Sequence, residues 1–446
     1  MAAAAKVQQE QATKNSAMAT PPSSPTTTAR KPLLLFSISL PVLAFVFLVS
    51  HTTFSLLICP LLPKSTSGPN VTISNSSASL DVSMEMTMQM QGFHHIHVSP
   101  PPPIQASPAV SKSSRKKAST KRNKSLLKLL LRETPQTRQF AARAAELYSG
   151  PCADGRFFMT WLSPLAQFGR RELLVLESLF RWHPRACLLV ASDTMDSAGG
   201  AAKLAPFTDR GLRVAAATPD LAYLLRGTPA EAWLAAARRG GVSPGSIPLG
   251  QNLSNLLRLA LLHRYGGVYL DADVLVLTSF FSPNGGGGGL PHNAVGAQAA
   301  DAATGGWRRL NNAVMAFDAA HPALREFMAE FAATFDGSRW GHNGPYLVSR
   351  VLARLAGGGG VAVLPPRAFY PVDWIKIGGL FRAPRDRGGE RWVKAKVENI
   401  RGGSFGIHLW NRETRGVEIE EGSVIARLVV HSCLFCNSSS MSVKQE

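Results

Sequence analysis

"RYGGVYLDADVLVL", Arg264 to Leu277, decides how this chain reads. An apolar strand follows a double glycine, and two aspartates one residue apart interrupt it. Core strands avoid carboxylates, because burying an unpaired charge is costly. In an extended chain residues i and i+2 project to the same side. Asp271 and Asp273 are therefore expected to converge, with Ala272 pointing away. Converging carboxylates repel unless a cation joins them. Oxygen ligands suit Mn²⁺ or Mg²⁺, with substrate phosphates completing the shell. A bare Asp-x-Asp is usually a solvated turn, so the surroundings have to decide.

Upstream, "NLSNLLRLALLHRYGG" predicts a helix with Leu253, Leu256, Leu257, Ala260 and Leu261 on one face and Gly266 ending it. Further back, "RFFMTWLS" (156–163), "ACLLVAS" (186–192) and "LRVAAAT" (212–218) read as buried strands. "RRELLVLESLFRWHP" supplies a helical stripe between the first two. Continuous apolar strands alternating with helices predict an α/β fold with a mainly parallel sheet. In such sheets ligands collect outside the carboxyl ends of strands, where the aspartate pair falls.

The chain has 446 residues, 45% hydrophobic, and a net charge of +19. Residues 1–150 hold 16 Lys and Arg against 5 Asp and Glu, a net of +11, which leaves only +8 for the rest. Seven basic residues crowd into thirteen between Lys112 and Lys124. Such a run reads as a solvated tether, open to acidic polysaccharide or lipid headgroups, and nucleic acid is not an expected partner. Of five cysteines, Cys433 and Cys436 form a lone CxxC with no second pair to complete a zinc site. A structural bridge or free thiols fit that position better than redox catalysis.

No Asp, Glu, Lys or Arg occurs from Pro32 to Pro63, and the apolar core Leu33–Ser50 is 18 residues long. That is enough for a bilayer span, and the basic residues upstream place the N-terminus in the cytosol. A cleaved signal peptide fits less well, since no clean cleavage site follows. Sequons at Asn70, Asn75, Asn123 and Asn437 suit a lumenal remainder, whereas a fifth, at Asn252, opens a helix. The expected organisation is a cytosolic tail (1–31), a transmembrane anchor (32–57), a disordered stem (58–125), a helical neck (126–150), a catalytic domain (151–435) and a flexible tail (436–446). The glycine tracts at 285–289 and 357–360 are read as tolerant surface loops without a role.

"NLSNLLRLALLHRYGGVYLDADVLVL" resembles the sugar-binding core of DXD-containing glycosyltransferases related to alpha-1,4-galactosyltransferases and yeast-type alpha-mannosyltransferases, the family-32 group. "FFMTWLSPLAQFGRRELLVLESLFRWHP", "NNAVMAFDAAHP", "GPYLVSRV", "LPPRAFYPVDW" and "HLWN" extend the likeness in order, most like the plant branch. The resemblance implies a GT-A fold (Rossmann-like, mainly parallel sheet flanked by helices) behind one transmembrane helix. It implies a single-pass type II enzyme of the Golgi membrane, a nucleotide-sugar donor, a Mn²⁺ or Mg²⁺ ion and retention of anomeric configuration. It assigns metal binding to Asp271, Asp273 and His408. Donor contacts fall to Trp161, Asn255, Arg258, Gly267, Tyr269 and the two aspartates. Asn312 joins the aspartates in the reaction, and Asn343, Asp373 and Trp410 lie on the acceptor side, with Trp374 near them. The implied reaction moves a hexose from UDP-galactose, UDP-glucose, UDP-N-acetylglucosamine or GDP-mannose to a glycan or glycolipid hydroxyl. Front-side substitution is favoured, because no residue commends itself as nucleophile. Association with itself or with other Golgi enzymes stays open. The alternative is a non-catalytic Golgi glycan-binding or scaffold protein that keeps the fold, against which the intact Asp271, Asp273, Arg258 and His408 weigh.

Overall fold

Three short apolar runs begin the sheet. β1 (Arg156–Thr160), β2 (Cys187–Ala191) and β3 (Arg213–Ala217) pair in parallel register, with Phe157 beside Leu188 and Leu188 beside Val214. All five residues of β2 are buried, as the unbroken hydrophobic run requires of a strand covered on both faces. The computed structural model describes residues 112–281 and 289–435. The expected tail, anchor, most of the stem, most of the 285–289 glycine tract and the 436–446 segment lie outside them. No helix among the described residues is long and apolar enough to cross a membrane.

The chain crosses from β3 through the helix Leu249–Tyr265 to β4 (Gly267–Leu270), which pairs in parallel with the other edge of β1. β5 (Val274–Val276) follows at once but leaves this sheet. β6 (Ala294–Ala300), β7 (Trp307–Phe317) and β8 (Ala362–Leu364) complete a seven-stranded order β3-β2-β1-β4-β7-β6-β8. β7 runs antiparallel to both β4 and β6, so the sheet is mixed, mostly parallel, with flanking helices. β5 pairs antiparallel with β9 (Gly406–His408) in a separate two-stranded sheet, Val274 opposite His408. Strand order reverses between β1 and β4, and the crevice outside their carboxyl ends is where such sheets bind ligands.

The stem and neck differ from expectation. A helix already spans Lys112–Leu130. Ser119 Oγ donates to the Ser246 carbonyl at 2.9 Å, and Asn123 Nδ2 donates to the Gly245 and Ile247 carbonyls at 2.8 Å each. Leu127 continues this docked face one turn on, while Lys117, Lys121, Lys124 and Lys128 are exposed. Asn123 is 2% exposed and its amide is already hydrogen-bonded, so this sequon is closed to glycan attachment in the folded protein. Asn252, also a sequon, is buried within its helix. A second neck helix, Pro135–Leu147, begins where Thr134 and Thr137 cap each other reciprocally. A disulfide joins Cys152, just beyond the neck, to Cys187 at the start of β2.

His183 fixes the segment that follows β5. Its Nε2 accepts the Phe280 N–H at 2.8 Å, and its ring lies 4.9 Å from Phe157 and 5.0 Å from Phe280. Burial lowers its pKa to about 4. An unfolded histidine titrates near 6.5, so between those values the unfolded chain holds a proton that the folded chain lacks. Stability is therefore complete above pH 6.5 and declines as pH falls toward 4, by at most about 3 kcal/mol. Urea denaturation at pH 7 and pH 4.5 is expected to reveal this loss, and His183→Gln to flatten it. An unchanged slope in that variant would assign the acid sensitivity elsewhere.

Candidate active site

The face of the Leu249–Tyr265 helix that carries Gln251, Ser254, Asn255 and Arg258 borders a cavity of about 510 Å³. Asp271 and Asp273 enter it from the end of β4 and the turn beyond, His408 from β9, and Asn311 and Asn312 from β7. Asp271 and Asp273 do not sit on one extended strand. The Val274 N–H donates to the Asp271 carbonyl at 3.1 Å, closing a tight turn, and the turn brings the carboxylates together. This corrects the alternation argument while keeping its outcome.

Oxygen and nitrogen atoms of Asp271, Asp273 and His408 lie within 4.8 Å of one another. Asp273 is held on three sides. Its carbonyl accepts the Leu409 N–H at 2.8 Å, its Oδ2 accepts the Asn411 N–H at 2.9 Å, and its Oδ1 faces His408 Nε2 at 3.6 Å. Two carboxylates with one imidazole form a donor set that fits Mn²⁺ well and Mg²⁺ less well, because Mg²⁺ takes oxygen ligands almost alone. His408 Nδ1 accepts the Trp410 N–H at 3.0 Å, so in this geometry the ring proton rests on Nε2. Ligation through Nε2 requires that proton to move to Nδ1 and the Trp410 contact to yield. Trp410 stands in the left-handed region at φ 54°, a strained conformation at the place that would have to give. His408→Ala is expected to weaken Mn²⁺ binding at least about tenfold, the loss that removing even a ligand's supporting partner causes. An unchanged Mn²⁺ activation curve would remove the imidazole from the set.

Arg258 is 4% exposed and lies against Asp271, Nη2 to Oδ1 at 3.2 Å. It also donates from Nη1 to the Asn312 carbonyl and from Nε to the Ser254 carbonyl at 3.1 Å. Its guanidinium stacks 4.3 Å above the Tyr269 ring. Burial lowers its pKa, but the Asp271 carboxylate together with Tyr269 and Tyr370 outweighs this and leaves it raised. Tyr269 is fully buried, and its hydroxyl donates to Asp271 Oδ1 at 2.7 Å while lying 2.8 Å from Thr160 Oγ1. Burial raises the Asp271 pKa and the neighbouring Asp273 carboxylate adds to that, against Arg258, which lowers it. The main cost at Asp271 is thus its burial, and a divalent cation between the two carboxylates would offset it by favouring their charged form.

Other expected residues land in different roles. Asn312 Nδ2 donates to Asn255 Oδ1 at 2.8 Å, and Asn255 Nδ2 to the Gln251 carbonyl at 3.0 Å, a buried amide chain along the cavity wall. Gly344 touches this chain; a Cβ there would stand 2.6 Å from Asn255 Oδ1. Asn343 is 2% exposed, and its amide is engaged with Asn252 and with Asp336, so it braces the loop and does not border the cavity. Asp373 caps a turn by accepting the Ile375 and Lys376 N–H groups, and its neighbour Trp374 is the residue that reaches the cavity. Trp410 borders it too, with its indole N–H on the Val372 carbonyl at 3.1 Å. Trp161 is 6% exposed, stacks edge-on with Phe168 and lies in the core, not among the residues that border the cavity. Gly267 sits at the opposite end of β4 from Asp271, facing a separate depression. Its φ of 123°, and an Arg156 carbonyl 2.4 Å from any added Cβ, explain the glycine without a donor. Gln251, Gln298, Arg309, Trp340, Tyr346 and Arg412 border the cavity without having been foreseen. They come from helices, strands and a turn far apart in the chain, and no local pattern says that these elements meet at one cavity.

Residues 169–299 match the glycosyltransferase sugar-binding region containing the DXD motif, and residues 316–440 match the alpha 1,4-glycosyltransferase conserved region. An uncharacterised protein of Arabidopsis thaliana is 31% identical over 63% of this chain, which spans only 42% of that relative's length. The lactosylceramide 4-alpha-galactosyltransferase of Gorilla gorilla gorilla is 30% identical over 64% of this chain and 83% of its own. A human alpha-1,4-N-acetylglucosaminyltransferase is 27% identical over 48% of this chain and 58% of its own. With both conserved regions present in order, and with Asp271, Asp273 and His408 gathered beside Arg258, the chain belongs to the alpha-1,4-glycosyltransferase family with a DXD sugar-binding region.

Proposed function

We propose that this protein is a Golgi type II membrane glycosyltransferase of GT-A architecture. It transfers a hexose from a nucleotide sugar to a glycan or glycolipid hydroxyl with retention. The observation that carries the reading is the Asp271–Asp273–His408 cluster, set against the buried Arg258 at the strand-order reversal. Asp271, Asp273 and His408 would hold Mn²⁺, which supplies charge stabilisation to the departing diphosphate. Arg258 holds Asp271 in place and adds a fixed positive charge at the same wall, in a site with little water to screen it. Asn312 and Asn255 order that wall through their amide chain and orient the donor sugar.

Retention by a protein nucleophile needs a free carboxylate near the anomeric carbon. Among the described residues bordering the cavity, the carboxylates are Asp271, Asp273 and Glu413, and Glu413 is paired with Arg412 at 3.5 Å. Front-side attack, with the leaving phosphate taking the acceptor proton, suits that inventory.

The relatives' names point to galactose or N-acetylglucosamine as the sugar. The test is nucleoside-diphosphate release by the full-length protein from UDP-galactose, UDP-N-acetylglucosamine, UDP-glucose and GDP-mannose, with Mn²⁺ and after chelation. Release from one donor, lost on chelation and restored by Mn²⁺, is expected. No release from any donor would refute the proposal.

A further inference from the structure

Two buried charged residues stand where the inner face of a helix ordinarily carries apolar ones. Arg171 and Glu172, in the first turn of the helix Arg170–Trp182, are 8% and 3% exposed, and neither borders the cavity. Both grip the segment that follows β9. Arg171 Nη1 donates to Thr414 Oγ1 at 3.1 Å, its Nη2 donates to the Val417 carbonyl, and its guanidinium lies 4.8 Å from the Phe381 ring centre. Glu172 Oε1 accepts from Arg415 Nη2 at 2.8 Å, and its Oε2 accepts the Gly169 N–H at 2.9 Å. The Asn411 side-chain amide lies between the two, 3.4 Å from each, with Oδ1 toward Arg171 and Nδ2 toward Glu172. Thr414 passes the grip on by donating to the Leu409 carbonyl at 2.6 Å. The Leu409 and Asn411 N–H groups of this same segment are the two that clasp Asp273.

We propose that Arg171 and Glu172 are positioning residues for the cation: they hold the segment from Leu409 to Val417 so that the Asn411 N–H fixes the Asp273 carboxylate. The proposal rests on the reading of Asp273 as a Mn²⁺ ligand. Stability alone does not call for these charges, because well-packed apolar side chains often serve a core as well as a buried ion pair does. What hydrogen-bonded charges add is direction. A carboxylate left free to rotate binds a cation more weakly, because ordering it becomes part of the cost of binding. The Asn411 N–H at Asp273 Oδ2 removes that freedom only while its own backbone is held. Trp410, the residue before it, stands in the left-handed region, a conformation that persists where the surroundings over-determine it. Asn411 and Thr414 tie the far side of this turn to Arg171 and Glu172, and so supply that constraint. Hydrogen-bonded partners behind metal ligands are the usual means of orienting them.

Mn²⁺ binding to the full-length protein, followed by the electron paramagnetic resonance of the free ion with no donor present, tests this apart from turnover. Thr414→Val keeps the shape and removes the hydroxyl, so it should fold and bind Mn²⁺ about tenfold more weakly, the lower end of the loss that removing such supporting partners causes. Thr414→Ser should keep the parental affinity. Glu172→Ala should also lose about tenfold. Glu172→Gln, which can still accept from Arg415, should lose less. Glu330→Ala serves as the contrast, because it breaks two ion pairs away from the cavity, to Arg350 at 2.8 Å and Arg354 at 2.7 Å. It should lower stability in urea and leave Mn²⁺ affinity unchanged. Equal losses in Thr414→Ser and Thr414→Val would assign the effect to packing and overturn the proposal. Asp273→Ala separates the two ways of failing. Affinity lost in that variant but parental in Thr414→Val and Glu172→Ala would sink the positioning role alone. Parental affinity in Asp273→Ala as well would refute the metal reading, and the positioning role with it.

Discussion

Replacing Asp273 by alanine is expected to lower metal-dependent cleavage of the donor by at least about a thousandfold, the scale on which a metal's charge stabilisation acts. Asp273 is the point through which both halves of the site are joined. Its Oδ1 faces His408, and its Oδ2 is anchored by the Asn411 N–H at 2.9 Å. Removing it leaves the cation one carboxylate and an imidazole, whose ring then loses the oxygen that faces its Nε2. The fold should survive, because the backbone link from Leu409 N–H to the Asp273 carbonyl does not need the side chain, and β5 remains paired with β9. Asp273→Asn refines the test. It can still accept the Asn411 N–H but supplies no charge, so it should fold like the parent and be nearly as inactive as the alanine variant. Donor cleavage within tenfold of the parent, in a variant that unfolds at the parental temperature, would remove the aspartate pair from the mechanism.

The position of this residue was legible and its surroundings were not, for a physical reason. Apolar strands, helical stripes and the end of β4 are set by neighbours a few residues apart, so periodicity reveals them. The pairing of Val274 with His408 joins residues 134 positions apart, and no local pattern announces it. That pairing turned an expected strand continuation into a second sheet and put His408 in the cluster; only the family resemblance had suggested the histidine. Asn343 looked like a site residue because buried and ligand-facing asparagines are spelled alike; its amide is satisfied by Asn252 and Asp336. The Lys112–Leu130 helix was hidden in the same way. It docks partly through Ser119 and Asn123, polar residues at helical spacing that a search for apolar stripes passes over. Trp374 was foreseen near the acceptor, while Trp340 and Tyr346 gain meaning only when folding places them on one cavity.

Arg258→Ala should damage both chemistry and stability, and the two losses can be separated. Arg258 is buried and makes contacts that no smaller residue can replace: a pair with Asp271, donation to the Asn312 and Ser254 carbonyls, and a stack on Tyr269. Truncation leaves a carboxylate and two carbonyls short of donors in a poorly solvated place. Breaking a buried pair by removing one partner costs about 3–5 kcal/mol. Asp271 keeps 27% side-chain exposure, so water relieves part of this and the lower end of that range is expected. Mn²⁺ relieves more, because it supplies positive charge to the same carboxylate. The stability deficit in urea should therefore shrink when Mn²⁺ is present, whereas kcat should stay depressed about a hundredfold or more, as for other lost fixed charges at a developing anion. Arg258→Lys keeps the charge but not the planar fork, so it should recover stability more fully than turnover. Parental kcat in the alanine variant, with only stability lost, would make Arg258 a brace for Asp271 and leave the departing diphosphate to the cation alone.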